Sequence, residues 1–146
     1  VLIDKQTPEV FRSYLDTVKA VGKAAADAGV DRRTIELVNL RVSQINGCAY
    51  CLDVHLAAAL KHGEVQRRLA VLPAWRDTDL FESHERAALS LAEIVTTLPS
   101  ADRLEQEYRL ARDHLSDAAL SALTWVAITI NAFNRVSILS GHRVHP

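Results

Sequence analysis

The 146-residue chain holds two cysteines, three residues apart, in Cys48-Ala49-Tyr50-Cys51. On one helical turn this spacing puts both sulfurs on the same side, near enough for a disulfide after a small backbone adjustment. A bridge closing so short a loop stabilises little. A secreted domain stapled by disulfides would carry more cysteines at dispersed spacings, so reactivity explains the pair better than stapling does. Cys48 falls at the expected start of a helix, where unpaired N–H groups and the helix dipole favour the thiolate. His55 lies four residues beyond Cys51 and seven beyond Cys48, on the same helical face. An imidazole there can take the thiol proton of Cys51, directly or through a water, and return it to a leaving oxygen. Glu36 shares a face of the preceding helix with Leu40 and Ser43, and it reaches the imidazole if the two helices pack antiparallel across Gly47.

The elements that must position these side chains read as helices throughout. Thr7-Pro8 supplies an N-cap and a first-turn proline ahead of Phe11, Tyr14, Leu15, Val18 and Val21, which share one helical face, and Gly29 ends that helix. Asp31 caps a second helix with Ile35, Val38, Val42 and Ile45 on one face, and Gly47 follows its end. A third helix runs from Cys48 to Gly63, and a shorter one, Glu64 to Leu72, stops at Pro73. Ala74 to Phe81 reads as a loop. Ser83 is the expected cap of a fifth helix with Ala87, Ala88, Leu91, Ile94, Val95 and Leu98 inward, and Pro99 to Asp102 turns the chain into a sixth. Ser116 or Asp117 opens the last long helix, apolar on nearly every face from Ala118 to Phe133, which needs partners all round. With no run of alternating strands, the expectation is an all-α, single-domain bundle of about six or seven helices spanning residues 1–146.

Composition narrows the partners. The formal net charge is −1, so there is no cationic excess to neutralise phosphates or anionic headgroups, and neither nucleic acid nor a membrane surface is an expected partner. No stretch reaches the roughly 18 uninterrupted apolar residues of a bilayer span. A cytoplasmic location is the default expectation. The apolar last helix suggests that a second copy of the chain covers part of it.

Glu36, then eleven residues, then Cys48-Ala49-Tyr50-Cys51-Leu52-Asp53-Val54-His55 resembles the signature of the alkyl hydroperoxidase D-like branch of the carboxymuconolactone decarboxylase superfamily. Ala74-Trp75-Arg76, Glu85-Arg86-Ala87-Ala88-Leu89 and Ile130-Asn131-Ala132-Phe133-Asn134-Arg135 also look like recurrent segments of that family. The resemblance implies an all-helical homo-oligomer, a trimer or hexamer, and a peroxidase without cofactor or metal that takes hydroperoxide substrate. It implies Cys51 as the peroxidatic thiol, Cys48 as the resolving one, and Glu36 and His55 as a proton relay. An external dithiol or a disulfide-reductase partner would restore the thiols. One position departs from the pattern: the branch's best-known members carry histidine before the second cysteine, and here Tyr50 stands there.

Other readings stand beside this one. Glu36 also has a plainer reading, a solvated helix residue at the edge of the apolar face, which ranks below the catalytic one. With His55 and Glu36 added, the cysteines would make four ligands for a metal. Trp75 and Arg76 read as packing and surface charge, and Asn131, Asn134 and Arg135 as buried structural or interface hydrogen bonds. His142 and His145 read as an exposed, incidental pair. At the level of function, the alternatives are a lactone decarboxylase of the same superfamily and a redox-responsive oligomer that turns over no substrate.

Overall fold

The computed structural model describes residues 1–146 and contains helices and no strands. Eight α-helices follow in order: α1 (Ile3–Gln6), α2 (Pro8–Asp27), α3 (Arg32–Asn46), α4 (Ala49–Lys61), α5 (Gln66–Val71), α6 (Ser83–Thr97), α7 (Ala101–Arg112) and α8 (Asp117–Ser140). The all-α expectation is met with one element more than foreseen. The extra one is the single turn α1, too short to carry an apolar period that a sequence could reveal.

The helix ends follow local chemistry. Asp31 caps α3 by accepting from the Thr34 N–H at 2.7 Å, and Ser116, not Asp117, caps α8. At α6 the capping box belongs to Glu82 and Glu85, with the Glu85 carboxylate accepting from the Glu82 N–H at 2.8 Å, so Ser83 is inside the helix and is not its cap. The stretch after α5 is partly ordered: Leu72–Asp77 forms a 3-10 turn, where a continuous loop was expected.

Between α3 and α4 the chain reverses in two residues. Gly47 sits at φ 70°, ψ 36°, and the Cys48 N–H donates to the Ser43 carbonyl at 3.0 Å, closing the end of α3 in the left-handed turn that glycine adopts without penalty. Cys48 then becomes the N-cap of α4. This tight turn is what lays α4 back against α3.

Helices α3 and α8 are central. Nine residues of α3 from Thr34 to Ser43 are buried, far more than the single face its apolar period suggested. It packs on α4, α6 and α8, and α2 packs on α8. One core cluster gathers Val38, Val42, Leu91, Leu123 and Val126 with both cysteines; a second joins Leu37, Leu40, Leu72, Trp75, Phe81 and Leu89. By length and hydropathy α8 would suffice to cross a bilayer, yet here it is the helix around which α2, α3 and α6 assemble.

Two apolar expectations are corrected. Leu98, assigned to the inward face of α6, is 73% exposed in the left-handed region at φ 47°, because it ends the helix one residue before Pro99. The α2 stripe reaches the core only at Val21, while Leu15 and Val18 stay exposed on the wall of an open cleft. On α8, Trp125, Ile128, Ile138 and Leu139 remain exposed on its outer side.

Candidate active site

Glu36 lies in the middle of α3 and is 1% exposed. A carboxylate so far from water needs hydrogen-bond donors, and three face it. The His55 Nδ1 is 2.7 Å from Oε2, the Arg32 guanidinium donates at 3.0 Å to Oε1, and the Asn39 amide donates at 3.4 Å to Oε2. Burial by itself would raise the Glu36 pKa. The hydrogen bond and charge of His55, then Asn39 and Arg32, outweigh burial and hold the carboxyl below its ordinary 4.5. With Glu36 ionised its oxygens can only accept, so Nδ1 of His55 is the donor in this contact.

That imidazole, on the second turn of α4, lines a cavity of about 280 Å3 between α2, α3, α4 and α8. Leu15, Val18, Val21, Ile35, Val54, Val126, Ile130 and Phe133 make most of its wall apolar. Its polar side is contributed by Glu36, His55, Arg32, Asn39, Cys51, Tyr50, Thr129 and Ser137. Phe11 and Tyr14 brace Phe133 edge-on, with ring centroids 5.9 and 6.0 Å away.

The two cysteines differ in what they face. Both are free thiols, 1% exposed for Cys48 and 4% for Cys51. Cys51 lines the cavity and Cys48 does not. The Cys48 sulfur caps α4 by accepting from the Cys51 N–H at 3.3 Å. The helix-terminus argument favours a low pKa for Cys48, but the structure reverses it: burial first, then the adjoining Cys51 side chain, push the thiol up to about 11 against the opposing pull of the Cys51 N–H and the Asn134 amide. Desolvation wins because these two donors do not replace the water that a thiolate loses.

Behind Cys48 a partly buried amide network ties α3 to α8. Asn46 donates to the side-chain oxygens of Asn131 and Asn134 at 2.9 and 3.0 Å, and Asn134 donates to Ser43 Oγ at 3.0 Å. This is the structural bonding expected of Asn131 and Asn134, whereas Arg135, expected to be buried with them, is exposed and donates only to the Asn131 carbonyl and side chain. Trp75 is buried in the second core cluster, its indole N–H donating to Glu93 at 2.8 Å while Arg76 stacks on its ring, so this pair is packing rather than part of the cavity. The structure thus brings Glu36, Cys51 and His55 to one cavity, with Cys48 directly behind Cys51. Arg32 and Asn39 went unnoticed in the sequence, although they stand four residues before and three after Glu36, the spacing that places them on its helical face.

Residues 8–93 match the model of the carboxymuconolactone decarboxylase family, more than half the chain. The chain belongs to that family. Within it, the protein is 38% identical over 136 residues to the uncharacterized protein YdfG of Bacillus subtilis, covering 93% of this chain and 90% of that one. Similarity to the alkyl hydroperoxide reductase AhpD of Maricaulis maris is higher, 53%, but confined to 38 residues, 26% of this chain and 22% of AhpD. Among solved structures, a protein of unknown function from Agrobacterium tumefaciens, ATU0492, described as a candidate AhpD-type antioxidant defence protein, superimposes with a TM-score of 0.85. It is 27% identical and is matched over 100% of this chain and 97% of its own. The all-helical family member described here therefore has the AhpD-like fold.

The depressed Glu36 carboxyl fixes the sign of one pH effect. A carboxyl whose folded pKa lies below its unfolded value stabilises the fold above the unfolded pKa and loses that contribution as pH falls through the folded one. Wild-type protein should therefore lose more stability than Glu36→Gln as pH drops below the ordinary 4.5. Chemical denaturation across this acid range checks it; parallel curves for the two proteins would mean that Glu36 titrates normally in the fold.

Proposed function

We propose that the protein is a thiol peroxidase that reduces organic hydroperoxides through Cys51 and Cys48. The observation that carries this reading is the convergence of Cys51 and the Glu36–His55 pair on one apolar cavity, with the second thiol just outside it. His55 takes the Cys51 proton through Nε2. The thiolate attacks the nearer peroxide oxygen, the O–O bond breaks, and Cys51 becomes a sulfenic acid while the proton returns to the leaving alkoxide, giving an alcohol. The Cys48 thiol then attacks the Cys51 sulfur, water leaves, and a disulfide forms. An external dithiol returns both cysteines to thiols and is itself oxidised to a disulfide.

The different surroundings of the sulfurs support this division of labour. Cys51 is on the cavity wall, whereas Cys48 is buried with its pKa pushed up to about 11, a poor first nucleophile at neutral pH but well placed to resolve its neighbour. The apolar lining supports a substrate with an organic group. Nothing in the site favours lactone decarboxylation, which gives a dithiol no task. The exposed Trp125, Ile128, Ile138 and Leu139 of α8 support a homo-oligomer, and a cytoplasmic setting suits a dithiol-dependent cycle.

Cys51→Ser should abolish hydroperoxide consumption. Cys48→Ser should react once and leave a sulfenic acid that dimedone captures, as mass spectrometry of the adduct would reveal. An inert Cys48→Ser protein together with a dimedone adduct on Cys51→Ser would reverse the two roles. For the assembly, light scattering at micromolar concentration should return a multiple of the chain mass, and a monomer there would refute the oligomer.

A further inference from the structure

A second carboxylate–imidazole pair stands behind Tyr50 and Ser137 of the cavity wall, and it is built from Asp4 and His142. His142, one residue past the Gly141 cap of α8, lays its ring against that of Tyr50, with centroids 5.2 Å apart and the planes at 58°. The expectation of an incidental, exposed histidine is thereby corrected, since its side chain is largely covered. Its backbone N–H donates to the Ser137 carbonyl at 3.0 Å, and its Nδ1 is 3.3 Å from the Ser137 hydroxyl. Its Nε2 is 3.4 Å from Oδ1 of Asp4 on α1. The Ile3 N–H donates to Ser140 Oγ at 3.1 Å and so pins α1 to the end of α8.

Asp4 is the informative member. It is 7% exposed, and its Oδ1 has no hydrogen bond. A buried carboxylate oxygen left in this state costs stability unless a nearby positive group compensates. The imidazole faces that oxygen, while the Lys5 ammonium lies 3.8 Å from the other one. His142 carries the Asp4 contact across to α4. Its outlet is the Tyr50 ring, which lines the cavity immediately before Cys51 in the chain.

We propose that Tyr50, held by His142 and Asp4, is the residue that sets which organic group can enter the cavity and reach Cys51. A ring fixed against His142 forms a wall at the first turn of α4. A small reactant passes it, and a branched or aromatic one requires it to move. Asp4 and His142 are positioning residues, acting on the cavity only through Tyr50. What passes the wall in the cell rests on the peroxidase reading, but the wall itself is testable without it.

The test uses the full-length chain with Cys48→Ser, which keeps an N-cap oxygen for α4 and leaves Cys51 as the sole thiol. The rate constants for alkylation of Cys51 by iodoacetamide and by the bulkier N-phenylmaleimide are measured, and their ratio is the readout. Freeing the ring with His142→Ala should raise the ratio in favour of N-phenylmaleimide by about three- to tenfold, the worth of one aromatic contact. Asp4→Asn, which keeps size and removes the charge facing the imidazole, should shift it the same way. Tyr50→Ala should shift it at least as far, and His142→Ala added to Tyr50→Ala should change nothing more. An unchanged ratio in Tyr50→Ala would show that this ring is not the wall. Unchanged ratios in both His142→Ala and Asp4→Asn, or an equal effect of His142→Ala with and without Tyr50, would remove the positioning pair. Alkylation consumes no peroxide, so failure of the wild-type chain to turn over hydroperoxides would overturn the peroxidase reading while leaving this result to stand or fall alone.

Discussion

A carboxylate buried in the middle of the central helix is the constraint around which this structure is arranged. Glu36 cannot be carried at 1% exposure without donors, and α3 itself supplies only Arg32 and Asn39. The short contact, 2.7 Å, comes from His55 on α4. That contact exists because Gly47 reverses the chain in the left-handed conformation and Cys48 caps the next helix, so that α4 returns along α3 with its second turn facing Glu36. The turn that satisfies the carboxylate also delivers both sulfurs to the site. Fold and chemistry therefore share one set of backbone hydrogen bonds.

The same economy separates two thiols that lie one turn apart. Cys48 caps a helix, contacts the Asn134 amide and faces protein, while Cys51 faces the cavity. A helix N-terminus favours a thiolate only where solvent or several donors share the charge. Inside the cluster formed by α3 and α8, desolvation is the larger effect, and it pushes the Cys48 thiol up rather than down.

How much of this could be read from the sequence depends on the range over which each feature acts. Asp31, Gly47, Ser116 and the Cys48, Cys51, His55 spacing act within a turn or two of helix, and the chain carries them openly. The Glu36–His55 contact needed one further assumption, antiparallel packing across Gly47, which the structure meets. The contacts of His142 with Tyr50 and of Asp4 with His142 join distant parts of the chain, and no helical period announces them. The α2 stripe of Leu15, Val18 and Val21 was legible as apolar but not as a cavity wall, because periodicity marks a face without saying whether it meets side chains or empty space. Leu98 was misjudged for a related reason: the α6 period continues through it, but the helix ends at that residue, and the left-handed backbone turns its side chain outward.

If the Glu36–His55 contact acts as one unit on Cys51, its two members should not contribute independently. The direct measurement is a double-mutant cycle on the rate of sulfenic acid formation in Cys48→Ser protein mixed with an organic hydroperoxide, using Glu36→Gln, His55→Ala and the pair together. His55→Ala should slow the reaction by about 10²–10⁴, the usual contribution of a general acid–base residue, and Glu36→Gln by less. The double variant should react no more slowly than His55→Ala alone. Losses that multiply would contradict it, showing that Glu36 and His55 reach Cys51 by separate routes and that the buried contact serves only the fold.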